Sequence, residues 1–263
     1  MSFQSENRDF INRLTEEMKI RGYSYRTRKK YREIVIKFLK SEKTPREFIL
    51  DYSNQSQSTI RAVFLAIKFF YENVLKQEFP EQLQSLQQKI KLPVVLTRED
   101  ISRMFYVTEN PKHYVVLSLL YYAGLRLNEA RNIKWTDIDF DNETIHLKKT
   151  KGEEERFIFI HEKLRKALEN LGIRKQGFVL ATDTGEPYDE RTIQQIVRTA
   201  ARKAKINKTV TPHTLRHTFA THLLEAGADI KFIQHLLGHK DIRTTQIYTY
   251  IANRDVKRLA RLI

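Results

Sequence analysis

The chain reads as mainly α-helical with a small antiparallel β-sheet, arranged as an N-terminal helical bundle domain followed by a mixed α/β domain. Three observations predict this. Apolar residues recur at helical spacing through the first third of the chain; residues 91–96 break the pattern around Pro93; and short β-like runs between residues 138 and 160 interrupt a second series of helices.

Over residues 9–89 the pattern is helical. Phe10, Ile11, Leu14 and Met18 share one face ahead of Gly22, and Tyr31, Ile34, Val35, Phe38 and Leu39 form a second stripe. A third stripe runs through Ile60, Val63, Phe64, Ile67, Phe70, Tyr71 and Val74, with short segments expected at residues 46–51 and after Pro80. Such stripes can bury one another, so residues 1–90 are expected to form a small bundle. Arg28, Lys29 and Arg32 fall away from the second stripe, and Arg61 and Lys68 away from the third.

Pro93 disfavours helix at Leu92, so residues 91–96 are expected to be an extended linker. Thr97, with Asp100 three residues on, has the form of a helix cap, and the second domain, residues 97–263, is expected to begin there. An apolar helix is expected over residues 111–123, stopped near Gly124, and a short one over 127–132. Runs at 138–140, 144–149 and 155–160 read as strands, the last two joined in a hairpin around Lys151 and Gly152. Helices resume at 162–171, 190–205, 213–225 and 230–237, and residues 255–263 carry Val256, Leu259 and Leu262 on one side.

Lys and Arg number 47 against 32 Asp and Glu, a formal net charge of +15. That excess favours a polyanionic partner, nucleic acid foremost. It is no detachable tail, because basic residues outnumber acidic ones 17 to 11 through Ile90 and 30 to 21 after it. Residues 21–32 hold Arg21, Arg26, Arg28, Lys29, Lys30 and Arg32 with no acid, beside Tyr23, Tyr25 and Tyr31. Lacking cysteine, the chain has no structural disulfide or thiolate zinc site. Its longest apolar stretch, residues 115–123, is too short to span a bilayer, and no apolar core follows a basic N-terminal start. A cytoplasmic, nucleoid-associated protein is therefore expected.

The residues that carry chemistry gather toward the C-terminal end. His213 and Arg216 stand three apart in Thr211-Pro-His-Thr-Leu-Arg-His-Thr-Phe-Ala-Thr-His222; His239 follows in Leu237-Gly-His239, and Tyr248 closes Thr245-Gln-Ile-Tyr248. Upstream lie Arg126, in Ala123-Gly-Leu-Arg-Leu-Asn-Glu-Ala130, and Lys151 in the expected hairpin. A phosphodiester resists attack because its negative charge repels nucleophiles and grows as the trigonal bipyramid forms, so fixed cations must surround its non-bridging oxygens. Arg126 and Arg216 suit that role, since a guanidinium stays charged and its fork matches a pair of oxygens. His213, one helical turn before Arg216, points to the same phosphate, and His239, just past Gly238 at a helix end, can add a hydrogen bond.

Tyr248 is then the nucleophile. A phenol titrates near ~10, so it needs a nearby base or a strongly positive pocket. Tyr250 is the alternative phenol, turned about 200° away on a helix. His213 and His217 stand at i, i+4, a zinc spacing, but Thr214 occupies the place of a metalloprotease Glu and no third ligand is evident, so no metal is expected. His217 and His222 are expected to pack or hydrogen-bond within their helix, and His113, His146, His161 and His235 to be structural or solvated.

In order and spacing these motifs resemble the tyrosine recombinases, most closely those of the Xer type, over roughly residues 8–250 and all six active-site positions. The resemblance implies a core-binding domain at residues 1–90 and a tyrosine-recombinase catalytic domain at 97–263, closing on double-stranded DNA. It implies that Tyr248 forms a 3′-phosphotyrosine, that Lys151 is the general acid for the departing 5′ oxygen, and that Glu129 orients Arg126. A 5′-hydroxyl from another strand then reverses the step, and no cofactor or metal is required. By the same likeness the protein acts as a homotetramer on two synapsed sites, with residues 255–263 docking on a neighbouring subunit or folding back on their own. The short N-terminal part looks like a Xer enzyme that resolves chromosome dimers at a dif-like site, with an accessory translocase or second recombinase left open. An integrase of a mobile element would share every one of these residues. A type IB topoisomerase would share the nicking chemistry and reseal the same strand. Arg28, Lys29, Arg32, Arg61 and Lys68 are candidate phosphate contacts that position the duplex without reading bases.

Overall fold

The structure, a computed structural model, describes residues 3–81, 93–148 and 155–238. The chain divides into two compact units, Met1–Ile90 and Lys91–Ile263.

In the first unit, helices α1 (Phe3–Ile20), α2 (Tyr25–Ser41), α3 (Pro45–Leu50) and α4 (Gln57–Phe70) pack around one core. Their starts follow from short polar caps: Ser24, Thr44 and Ser56 accept N–H groups from Thr27, Glu47 and Thr59, satisfying donors that the first turn leaves over. The expected stripes are the buried faces. Leu14 and Met18 of α1, Val35 and Phe38 of α2, and Val63, Ile67 and Phe70 of α4 meet in the interior. A π-turn over Tyr71–Leu75, which no spacing predicts, prolongs α4 and keeps Val74 buried, and Arg13 Nη2 donates to the Val74 carbonyl at 2.7 Å. The expected segment at 46–51 is α3, and most of the one expected after Pro80 lies outside the described residues.

The second unit begins in extended chain. Leu96 is buried; its N–H donates to Thr218 Oγ1 and its carbonyl accepts from His222 Nε2, both at 3.1 Å. Helix α5 (Arg98–Tyr106) starts at Thr97, whose hydroxyl accepts from the Asp100 N–H while Asp100 accepts from Thr97. Helix α6 (Pro111–Tyr121) is apolar nearly all round, as a central helix must be, and packs against α8 (Glu162–Leu171), α9 (Glu190–Lys203) and α10 (Pro212–Glu225). Two helices end short of expectation for a backbone reason: Gly124 turns left-handed at φ +59° after α6, and Lys205 at φ +55° after α9.

Helix α7 (Leu127–Asn132) leads into the sheet: β1 (Ile138–Asp139), β2 (Thr144–Leu147) and β3 (Arg156–Phe159), antiparallel in that order. Ile145 pairs with Ile158 and both are buried, whereas Phe157 is exposed. Helix α11 (Ile230–Leu237) is the last described element. Residues 172–189 carry bridges Lys134–Phe178 and Ala181–Pro187 that no sequence pattern announced. Among the described residues no helix is long and apolar enough to cross a membrane.

Candidate active site

Two distant stretches deliver the described site residues. After α6, the left-handed Gly124 reverses the chain and Arg126 becomes the N-cap of α7. Glu129, three residues on, accepts the Arg126 N–H at 2.7 Å and the Arg126 guanidinium at 2.9 Å, so one carboxylate caps the helix and holds the cap residue's own side chain. The second stretch is the start of α10. Pro212 suits the first helical position, and reciprocal bonds between Thr211 and Thr214 fix the turn. His213 and Arg216 therefore leave the helix one turn apart on the same side.

Arg216 is buried, 3% exposed, and reaches back to the first stretch. Its Nη1 donates to the Gly124 carbonyl at 2.6 Å and lies 3.6 Å from Glu129 Oε2, and its Nη2 donates to the Leu237 carbonyl. Arg126 Nη2 donates to the next carbonyl, Gly238, at 2.8 Å. Arg126, Glu129 and Arg216 thus share one cluster at the C-terminal end of α11.

Burial alone would raise the Glu129 carboxyl, but the guanidinium of Arg156, the Arg126 N–H, Arg216 and Arg126 outweigh it and hold the acid below the usual carboxylate range. It is ionised at neutral pH. The His213 ring is pushed below the ordinary imidazole value by desolvation and by the charges of Arg216 and Arg126, which places it in the field of both arginines. His217, behind it, is driven to about 4 by burial, His213 and Arg216, so both imidazoles are neutral at pH 7. Their ring centroids lie 6.4 Å apart, and among the described residues no group of three or more His, Cys, Asp or Glu could hold a metal ion. His222 is a packing residue, with Nδ1 hydrogen-bonded to the Tyr121 hydroxyl at 2.8 Å.

Lys151, His239 and Tyr248 lie outside the described residues, as do Tyr250 and residues 255–263. On α2, Lys29 and Arg32 are exposed and Arg28 half-buried; on α4, Arg61 is exposed and Lys68 is half-buried, 3.5 Å from Glu72.

Sequence reasoning passed over Arg156. This β3 residue is 3% exposed and donates from Nε to the Leu236 carbonyl at 2.8 Å and from Nη2 to Glu129 at 2.9 Å. The available signal was parity: Arg156 alternates in step with Ile158 and Ile160, which face the core, and a cation there requires a buried partner.

Residues 94–254 match the phage integrase family, and residues 10–81 match the phage integrase N-terminal SAM-like domain. The chain is 31% identical over 264 residues to the tyrosine recombinase XerA of Pyrococcus horikoshii, covering 95% of this chain and 92% of that protein. It is 29% identical over 301 residues to an integrase/recombinase of Escherichia coli, covering 92% and 89%. The crystal structure of the XerH site-specific recombinase bound to a palindromic difH substrate, in a post-cleavage complex, superposes with a TM-score of 0.75 at 20% identity, covering 93% of this chain and 82% of that one. With both units matched and the arginine and histidine motifs drawn into one cluster, this chain belongs to the phage integrase family of tyrosine recombinases, enzymes that cleave and rejoin DNA.

Proposed function

We propose that the chain is a site-specific recombinase of duplex DNA in which Arg126, Arg216 and His213 bind the scissile phosphate and Tyr248 attacks it. The observation that carries this reading is the single carboxylate, Glu129, that gathers Arg126 and Arg216 beside His213 from stretches some 90 residues apart, as the 92-residue separation of the Arg216–Gly124 bond records. Cations fixed before the reaction stabilise charge as it develops on the non-bridging oxygens and need no reorganisation. His213, neutral at pH 7, donates one N–H to the same phosphate, and His239 supplies a further hydrogen bond.

The Tyr248 oxygen forms a bond to phosphorus as the bond from phosphorus to the 5′ oxygen breaks. The phenolic proton passes to solvent water, Lys151 protonates the departing oxygen and is reprotonated from solvent, and the products are a 3′-phosphotyrosine and a 5′-hydroxyl. Because the phosphotyrosine keeps the ester's bond energy, a 5′-hydroxyl from a partner strand reverses the step and joins the strands in a new pairing. Exposed cations Lys29, Arg32 and Arg61, together with Arg28 and Lys68, contact backbone phosphates and place the duplex without reading its bases.

By likeness to XerA, and to XerH with its difH substrate, the role is Xer-type resolution of chromosome dimers at a dif-like site by a homotetramer on two synapsed sites. The likeness to an Escherichia coli integrase/recombinase favours a second reading, integration of a mobile element by the same chemistry.

The test is a nicked duplex carrying candidate sites, incubated with the full chain and resolved on a denaturing gel with peptide mapping. Wild type should yield a covalent adduct at Tyr248, and Tyr248→Phe should bind DNA without forming one. An adduct that persists in that variant refutes the nucleophile. Relaxation of supercoiled DNA lacking any site, without strand exchange, would instead identify a type IB nicking-closing activity.

A further inference from the structure

Arg156 has no part in the reaction as drawn, yet it is the most enclosed of the three clustered guanidiniums. Its side chain is 2% exposed, against 4% for Arg216 and 23% for Arg126. Its contacts are internal. Nε donates to the Leu236 carbonyl at 2.8 Å, and Nη2 reaches Oε2 and Oε1 of Glu129 at 2.9 and 2.8 Å. Nη1 lies under Gly238, where an added Cβ would stand only 2.9 Å from it.

The neighbouring arginines continue the same row. Arg156 takes the Leu236 carbonyl, Arg216 the Leu237 carbonyl and Arg126 the Gly238 carbonyl. These are consecutive acceptors at the C-terminal end of α11, where a helix carries its partial negative charge. Arg126 and Arg216 therefore rest on backbone whose position a third arginine fixes, and that third arginine also fixes Glu129, to which both are drawn.

We propose that Arg156 is a positioning residue for strand cleavage: from β3 it locks the end of α11 to Glu129, and so sets where the guanidiniums of Arg126 and Arg216 meet the scissile phosphate. The proposal rests on the reading of those two arginines as phosphate-binding groups. A lysine in its place carries one compact ammonium, which cannot fork between a carboxylate and a carbonyl. The helix end and Glu129 would then shift independently, and both phosphate-facing guanidiniums with them.

The test is single-turnover cleavage of nicked duplexes by full-length Arg156→Lys. DNA affinity should stay close to wild type, while cleavage slows by about a hundredfold, the scale of a ~1 Å misplacement of reacting groups. That deficit should shrink markedly when a neutral methylphosphonate replaces the scissile phosphate, because a linkage with less charge depends less on where the guanidiniums lie. A merely structural role would slow both substrates equally. Wild-type cleavage by the variant, or the same deficit on both substrates, overturns the proposal. Absence of any adduct from the wild-type protein in the same assay would sink the recombinase reading instead. Should Arg156→Lys fail to fold, judged by its thermal melt, Arg156→Gln takes its place, its amide able to keep one donor toward the Leu236 carbonyl while the fork to Glu129 is lost. It must give the same substrate-dependent deficit, and without one the proposal fails.

Discussion

Replacing Glu129 with Gln keeps the side chain's shape and removes the one charge shared by Arg126, Arg156 and Arg216. Arg156 and Arg216 are each 3% exposed, so water cannot take over the carboxylate's role. Breaking a buried pair by neutralising one partner costs roughly 3–5 kcal/mol, whereas an exposed pair is worth about 0–1 kcal/mol. For a domain of this size each kcal/mol moves the midpoint by about 2–4 °C, so a loss of about 4 kcal/mol lowers the catalytic unit's Tm by roughly 8–16 °C at neutral pH. The pH dependence has a definite sign. Glu129 titrates lower in the folded protein than in the unfolded chain, so its contribution is complete above the unfolded carboxyl value near ~4.3 and is lost as pH falls through the folded value. The gap between wild type and Glu129→Gln should therefore be wide at pH 7 and close in strong acid. Thermal unfolding followed by far-ultraviolet circular dichroism at several pH values measures it. A drop below about 4 °C at neutral pH, the response of an exposed pair, would refute the idea that this carboxylate organises the site.

Gly124→Ala should destabilise the catalytic unit by about 2 kcal/mol or more in urea unfolding. The new Cβ would adopt a left-handed φ of +59° and lie 2.4 Å from Phe219 Cδ1, and cleavage should slow as well because the Gly124 carbonyl holds Arg216. His217→Gln should flatten the pH dependence of stability between about 6.5 and 4. The native imidazole titrates at about 4, so over that window the unfolded chain takes up a proton that the folded one refuses; the variant removes about one proton from that difference, and an unchanged slope would contradict the assignment.

The fold was largely legible because most helices advertise both a face and a start. The stripes of Leu14 and Met18, Val35 and Phe38, and Ile67 and Phe70 became the bundle core, and Thr97 with Asp100 marked where α5 begins. The ends were harder to read. The sites at which α6 and α9 stop depend on left-handed turns at Gly124 and Lys205, and a lysine at φ +55° has no sequence signature. The π-turn after Phe70 was hidden for a related reason: Val74 satisfies the stripe whether or not one extra residue is wound into the turn.

At the site, legibility divides by the kind of partner each side chain has. Arg126, His213 and Arg216 could be picked out because phosphoryl chemistry demands particular residue types, and a resemblance supplied their order. The groups that place them bind main chain, and the carbonyls of Gly124, Leu236, Leu237 and Gly238 would be the same atoms with almost any side chains attached. No motif can encode such contacts. What the sequence does carry is a charge at a core-facing position of β3, and burial physics makes that informative: Arg156 inside needs a carboxylate inside, and Glu129 is the one it meets. That pairing then constrains the chemistry, because one carboxylate is divided among three guanidiniums and carbonyl dipoles share in holding them. Such a cluster keeps its arginines fixed and, with three guanidiniums against one carboxylate, stays net positive. In the proposed reaction, the phosphate that binds there gains negative charge as Tyr248 attacks, so the field acts most strongly on the trigonal bipyramid.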